Sequence, residues 1–207
     1  MARRTKAEAA ATREALLDAA EDVFFDKGVA RTSLEQIARH AGMTRGAVYW
    51  HFRNKADLFH ALLERVRMPF QELIDEIEDP AAIDSPLDAI RLACLLGFTR
   101  LEQPRYRRVH SILIHRCEFF SDIDPIAMQN ALTEECRESL FERFSKADEM
   151  GLLRPSVSPA IATELLQATL GGLFHDWLRD PGQYSIHERG ETLVNSLLQL
   201  MRYQDSM

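Results

Sequence analysis

Apolar residues recur along this chain at steps of three and four, the spacing that gathers side chains on one side of an α-helix. In "REALLDAAEDVFFDKG" Leu16, Ala20 and Phe24 stand four apart, flanked by Leu17 and Val23. Gly28, after Lys27, marks the predicted end of that helix. The next segment, "TSLEQIARHAG", opens on two residues able to cap, Thr32 and Ser33, with Glu35 or Gln36 placed as the reciprocal partner. Leu34, Ile37 and Ala38 then turn inward, and Gly42 closes the segment. Thr44 is placed to cap a short helix over roughly 45–51, and Asn54 a long one in which Leu58 and Leu62 stand one turn apart. Residues 1 to about 55 therefore predict three short helices and the start of a fourth.

Beyond Pro69 the helical period continues. Breaks at "EDPAAIDSP", "EQPR", "SDIDP", "MGLLRPSVSP" and "RDPGQYS" delimit helices near 70–78, 86–102, 105–118, 125–150, 159–179 and 187–203. No segment alternates with period two for long, so strands are not expected. The expected fold is all-α with about nine helices: a three-helix head over residues 1–54 and a larger helical domain over 55–207.

Within the head, Ala38, Gly42 and Val48 stand at offsets of 0, 4 and 10. A small residue lets two helices cross closely, a glycine accepts the left-handed turn, and a branched apolar residue locks the second helix on the first. Such a pair is a helix-turn-helix, which places its second helix in the DNA major groove. The stretch "TRGAVYWHF" adds detail. Neighbours on a helix point in different directions, so Tyr49, Trp50 and His51 cannot all face one core. Arg45, Gly46 and Ala47 give the front of the helix one long donor beside two residues of little bulk, and Arg45 can pair with guanine. Tyr49 offers a ring for thymine methyls or a hydroxyl for phosphate. His51, Lys55 and the Thr44 hydroxyl can reach phosphates, as can the backbone N–H groups at the helix starts by Thr32, Ser33 and Asn54. Phe52, and in part Trp50, is expected to pack the head.

Charge sharpens the picture. The net charge is −7, yet residues 1–67 carry 12 Lys/Arg against 9 Asp/Glu, a net of +3, and the remainder a net of −10. A locally basic head can dock on phosphates; an uneven solvated surface gives the same asymmetry. An apolar share of 46% and a charged share of 28% fit a globular chain of 207 residues. Three widely spaced cysteines, Cys94, Cys117 and Cys136, argue against a disulfide framework and fit a reducing compartment. The charged start lacks the apolar run of a secretion signal, and no apolar stretch is long enough to cross a bilayer. A cytoplasmic protein with no membrane partner is expected.

The run "GVARTSLEQIARHAGMTRGAVYWHFRNKADLFHALL" resembles the DNA-binding head of the TetR family of bacterial repressors, with Tyr49, His51, Phe52 and Lys55 in that family's signature spacing. The opening "MARRTK…TRE" and the later "HRCEF" are similar to the AcrR/TtgR-like branch, which regulates multidrug efflux pumps. The resemblance implies double-stranded operator DNA as a partner, contacted through Thr32, Ser33, Thr44, Arg45, Gly46, Tyr49, His51 and Lys55, with Arg3, Arg4 and Lys6 as a basic arm. It implies a homodimer built on the last two helices. "ATELLQATLGGLFHDWL" fits, being apolar around most of its girth and carrying Gly171-Gly172. It also implies a small hydrophobic effector in the larger domain, lined by Leu96, His110, Leu113, Ile114, Cys136, Leu140, Gln167, Leu170 and Phe174. The function implied is a ligand-responsive repressor that needs no cofactor or metal. The alternative is a regulator with the same head that senses a metabolite or acyl-CoA. An enzyme reading rests on His110, His115, Cys117 and Glu118, whose helical spacing does not gather them on one face.

Overall fold

The computed structural model describes residues 6–77, 83–120 and 122–203. Among them the chain forms ten α-helices: α1 Lys6–Lys27, α2 Leu34–His40, α3 Arg45–His51, α4 Lys55–Glu64, α5 Phe70–Asp75, α6 Pro86–Glu102, α7 Pro104–His115, α8 Pro125–Glu149, α9 Pro159–Arg179 and α10 Ile186–Met201. The fold is all-α, with ten helices where about nine are expected; Pro69 divides α4 from α5. Strand-like pairing among the described residues is confined to two isolated bridges, Phe120 with Ile123 and Leu153 with Arg202.

Most boundaries lie where the capping residues put them. Ser33, Thr44, Asn54, Ser85, Ser158 and Ser185 each accept a hydrogen bond from a backbone N–H three residues on. Several boundaries differ from expectation. The first helix is long, not short: it reaches back to Lys6 through an alanine-rich turn that favours helix without any apolar stripe. Helix α7 ends at His115, three residues early, and the Arg116 carbonyl then accepts the Val29 N–H at 2.9 Å. Cys117 and Glu118 are therefore off the helix. Helix α5 also stops early, at Asp75; residue 78, its expected end, lies outside the described residues.

The chain divides into two compact units. Unit 1 is Met1–Arg67 with Arg105–Met128; unit 2 is Met68–Pro104 with Gln129–Met207. The reason is visible in the core of unit 1. Leu16, Leu17 and Phe24 of α1, Ile37 of α2, Val48 of α3 and Phe59 and Leu62 of α4 share one apolar cluster with Val109, Ile112 and Leu113 of α7. The Phe24 and Phe59 rings meet edge to face at 5.7 Å. Ion pairs bind the same elements at the rim. Arg65 reaches Asp18 at 2.6 Å, Arg105 reaches Asp18 at 2.9 Å, and Arg108 spans Glu21 at 3.0 Å and Asp22 at 2.7 Å. Burial raises the Glu21 pKa, opposed by Arg108, Arg105 and Arg65.

Unit 2 packs α6, α9 and α10 with α5 and the larger part of α8. Its buried residues include Ile90 and Phe98, Leu140 and Phe144, Leu166 and Trp177, and Val194 and Leu198. Helices α6 and α10 cross where Gly190 lies flat against the Phe98 ring. A methyl group there would enter the ring's own space, and Phe98 is itself buried. Overpacking of that kind costs about 2 kcal/mol. Gly190→Ala is expected to lower the calorimetric melting midpoint by about 5 °C.

Candidate nucleic-acid interface

The turn between α2 and α3 is built from backbone hydrogen bonds that only a left-handed residue allows. Gly42 has φ 67°, its N–H donates to the Arg39 carbonyl at 3.1 Å, and the Met43 N–H reaches back to the Ala38 carbonyl at 2.8 Å. This paired closure satisfies the last carbonyls of α2 and turns the chain at once into α3. Ala38 and Val48 are both buried at the crossing, so the spacing of small residue, glycine and branched residue does what its chemistry predicts.

Helix α3 carries two faces. Val48 and Phe52, four positions apart, are buried and hold it to the core. Arg45, Gly46, Tyr49 and Trp50 look outward. Thr44, Gly46, Ala47 and Trp50, together with Ala9 of α1, line an open groove of about 460 Å³. Trp50 is 69% exposed, which corrects the expectation that it partly packs the head. Sequence reasoning left it out of the candidate contacts. The signal was present: it lies midway between Val48 and Phe52 and so projects away from the face they define.

The remaining expected contacts fall into distinct places. Ser33 caps α2: its Oγ accepts the Gln36 N–H at 3.2 Å, while its own N–H donates to the Gln36 side chain at 2.8 Å. The Thr44 Oγ1 accepts the Ala47 N–H at 3.3 Å and stays exposed. Arg45 is exposed, its Nε 3.2 Å from Glu35. The Tyr49 hydroxyl donates to Glu35 at 3.1 Å. His51 is half-buried, with its ring edge to face on Trp50 at 4.4 Å.

Two of the expected contacts point inward. Thr32 is buried, and its hydroxyl donates to the Gly28 carbonyl at 2.8 Å. The Lys55 ammonium donates to three carbonyls, those of Val29 at 2.8 Å, Ala30 at 3.0 Å and Thr32 at 2.9 Å, and sits 3.7 Å from the Phe120 ring centroid. The ammonium thereby ties the α1–α2 loop, whose carbonyls lie outside the helices. Burial lowers the Lys55 pKa. Arg3 and Arg4 lie outside the described residues; Lys6 begins α1 and is exposed.

The expected effector-lining residues are divided between the units. His110, Leu113 and Ile114 belong to unit 1. Leu113 is buried in that unit's core, where it packs with α1 and α4 residues. The His110 Nδ1 donates to the Tyr106 carbonyl at 2.7 Å, and burial lowers the ring's pKa. Leu96 of α6, Cys136 and Leu140 of α8 and Gln167, Leu170 and Phe174 of α9 belong to unit 2. There the Gln167 side-chain amide donates to the Thr133 carbonyl at 2.8 Å, bringing α9 onto α8. Leu140 is fully buried; Leu96, Cys136, Gln167, Leu170 and Phe174 are half-buried. Burial pushes the Cys136 thiol up to about 11 and the Cys94 thiol higher still, which keeps both protonated and unreactive at neutral pH. Among the described residues no group of His, Cys, Asp and Glu is arranged to hold a metal ion, and no helix is long and apolar enough to cross a membrane.

A capped helix pair with a glycine turn, presenting an arginine, a tyrosine and a tryptophan from its second helix, defines a helix-turn-helix regulator that binds DNA. Residues 16–62 match the bacterial regulatory proteins of the tetR family, and residues 85–203 match the C-terminal region of MAATS-type transcriptional repressors. The chain belongs to the TetR family, in its AcrR/TtgR branch, a family of transcriptional regulators and not of enzymes. It is 35% identical over 209 residues to the HTH-type transcriptional regulator TtgR of Pseudomonas putida, covering 100% of this chain and 99% of that one. NalD, the secondary repressor of the MexAB-OprM multidrug efflux pump in Pseudomonas aeruginosa, is similar in structure with a TM-score of 0.82 at 38% identity, over 97% of this chain and 100% of that one. SmeT in complex with triclosan gives 0.80 at 33% identity, over 95% and 93%. SmeT is the repressor of the Stenotrophomonas maltophilia multidrug efflux pump SmeDEF.

Proposed function

We propose that this protein is a cytoplasmic homodimer that represses multidrug efflux genes by occupying a palindromic operator and leaves it when a small hydrophobic effector binds. The observation that carries the reading is the outward face of α3, where Arg45, Gly46, Tyr49 and Trp50 stand on a helix locked from behind by Val48 and Phe52. Arg45 reads a guanine, Tyr49 and Trp50 meet sugar, phosphate or thymine methyl, and Thr44 and Ser33 position the backbone. His51 supports α3 from its half-buried place. One such head reads one half-site, and a symmetric pair reads two about 34–36 Å apart.

The surface of unit 2 supports the pairing. Ile161, Leu165, Ala168 and Gly172 form an exposed stripe along α9, and Leu193, Ser196 and Leu200 a second along α10. Among the described residues, a side chain added at Gly171 or Gly172 meets open space. Apolar stripes interrupted by small residues suit close packing of helices from a second copy. The effector site is assigned to the half-buried faces of α6, α8 and α9, where Leu96, Leu170 and Phe174 supply apolar wall and Gln167 and Cys136 polar anchors. Effector and operator then oppose each other through a coupling of about 1–3 kcal/mol, equal in both directions. SmeT with triclosan and NalD with its pump give the relevant chemistry and gene class.

The reading is tested by footprinting the purified protein on the DNA upstream of its own gene and of neighbouring transporter genes, with and without triclosan. The expected result is a protected palindrome whose occupancy falls about 10- to 100-fold in saturating triclosan. Absence of any protected site, or protection released only by acyl-CoA, would replace the efflux reading with a metabolic one.

A further inference from the structure

We infer that Glu35 is a positioning residue for DNA reading: its carboxylate on α2 fixes Arg45 and Tyr49 of α3 in the orientation in which they meet the groove. This rests on the reading that α3 faces DNA and says how that face is set. One oxygen of Glu35 accepts the Tyr49 hydroxyl at 3.1 Å and lies 3.2 Å from the Arg45 Nε. The Arg45 guanidinium lies 5.3 Å from the centroid of the Tyr49 ring, so carboxylate, guanidinium and phenol close a triangle. The arrangement stands in solvent, with the Arg45 side chain 71% exposed. An ion pair in such a place adds little to stability. An untethered arginine there would spread over many rotamers. The triangle is therefore accounted for by what it orients.

The point of attachment matters. Glu35 holds Arg45 by Nε, the inner edge of the guanidinium. Both terminal nitrogens are left to form the end-on fork that matches guanine O6 and N7. The Tyr49 hydroxyl, donating its O–H to Glu35, keeps its lone pairs as acceptors. Glu35 is ionised at neutral pH, since its own backbone N–H and the Tyr49 hydroxyl hold its pKa below the ordinary value. That negative charge also selects among partners. A phosphate approaching Arg45 meets Glu35 as well and is repelled, whereas a guanine edge is neutral and is not. Glu35 thus turns Arg45 from backbone contact toward base reading.

The test compares wild type, Glu35→Gln and Arg45→Ala on two duplexes across a potassium chloride series. One duplex is recovered by the wild-type protein from a random-sequence pool; the other is its scrambled counterpart. Glu35→Gln is expected to bind the scrambled duplex more tightly, to steepen its salt dependence by about one unit of slope, and to lower the specificity ratio about tenfold, with an unchanged melting midpoint. If Glu35→Gln matches wild type in ratio and slope while Arg45→Ala loses discrimination, the positioning role is wrong and the reading of α3 stands. If Arg45→Ala keeps full discrimination, the reading of α3 falls first. An equal loss on both duplexes with a lowered melting midpoint would make Glu35 a structural residue only.

Discussion

A Gly172→Glu protein is expected to sediment as a monomer and to bind operator about 100- to 10,000-fold more weakly than wild type. Gly172 is exposed at the C-terminal end of the α9 stripe, between Ala168 and His175, with open space where a side chain would stand. The substitution therefore costs little within the subunit; a good helix former even replaces a poor one. Between two copies it places a pair of carboxylates against apolar helix faces, where neither finds a partner. Loss of pairing converts two linked half-site contacts into two separate ones, and the effective concentration that linked them is lost. Sedimentation velocity with and without operator separates this from misfolding, because the monomer should keep its melting midpoint apart from the part owed to association.

Lys55→Met is expected to lower the melting midpoint by about 10 °C. The methionine keeps an apolar stem but removes the ammonium that serves the carbonyls of Val29, Ala30 and Thr32 and faces the Phe120 ring. Each such hydrogen bond to a charged donor is worth about 1.5–3 kcal/mol, and water can reach the half-buried site to recover part of it, leaving a loss of about 3 kcal/mol. The loop so released sets the entry to α2, so operator affinity should fall as well, with its salt slope unchanged. A loss of one unit of salt slope at constant stability would instead return Lys55 to phosphate contact. Circular dichroism melts and a salt titration of binding distinguish the two.

These residues also mark what could be read before any coordinates. The Ser33 box, the Gly42 turn and the inward set Ala38, Val48 and Phe52 follow from local spacing and local chemistry, and they stand in the structure as expected. The TetR resemblance rested on that same stretch. What depends on distant segments was not legible. Nothing near Lys55 says that its partners are carbonyls more than twenty residues earlier, and nothing near Thr32 says that its hydroxyl turns back on α1. The sequence offers Glu35 only as the reciprocal partner of a cap; its place under Arg45 and Tyr49 depends on how α2 and α3 cross. The divided course of the effector-lining residues was equally hidden, because periodicity marks which side of α7 is apolar but not which core it joins.

The contribution of α7 to the first unit has an evolutionary and practical consequence. Val109, Ile112 and Leu113 fill the same cluster as Val48 and Phe59, so the reading head cannot be detached as a cassette by cutting the chain after the fourth helix. A chimera that exchanges only residues 1–67 for those of another regulator would join a foreign reader to the wrong half of its own keystone. Transplanting operator preference onto a new sensor requires carrying residues 105–128 along with it.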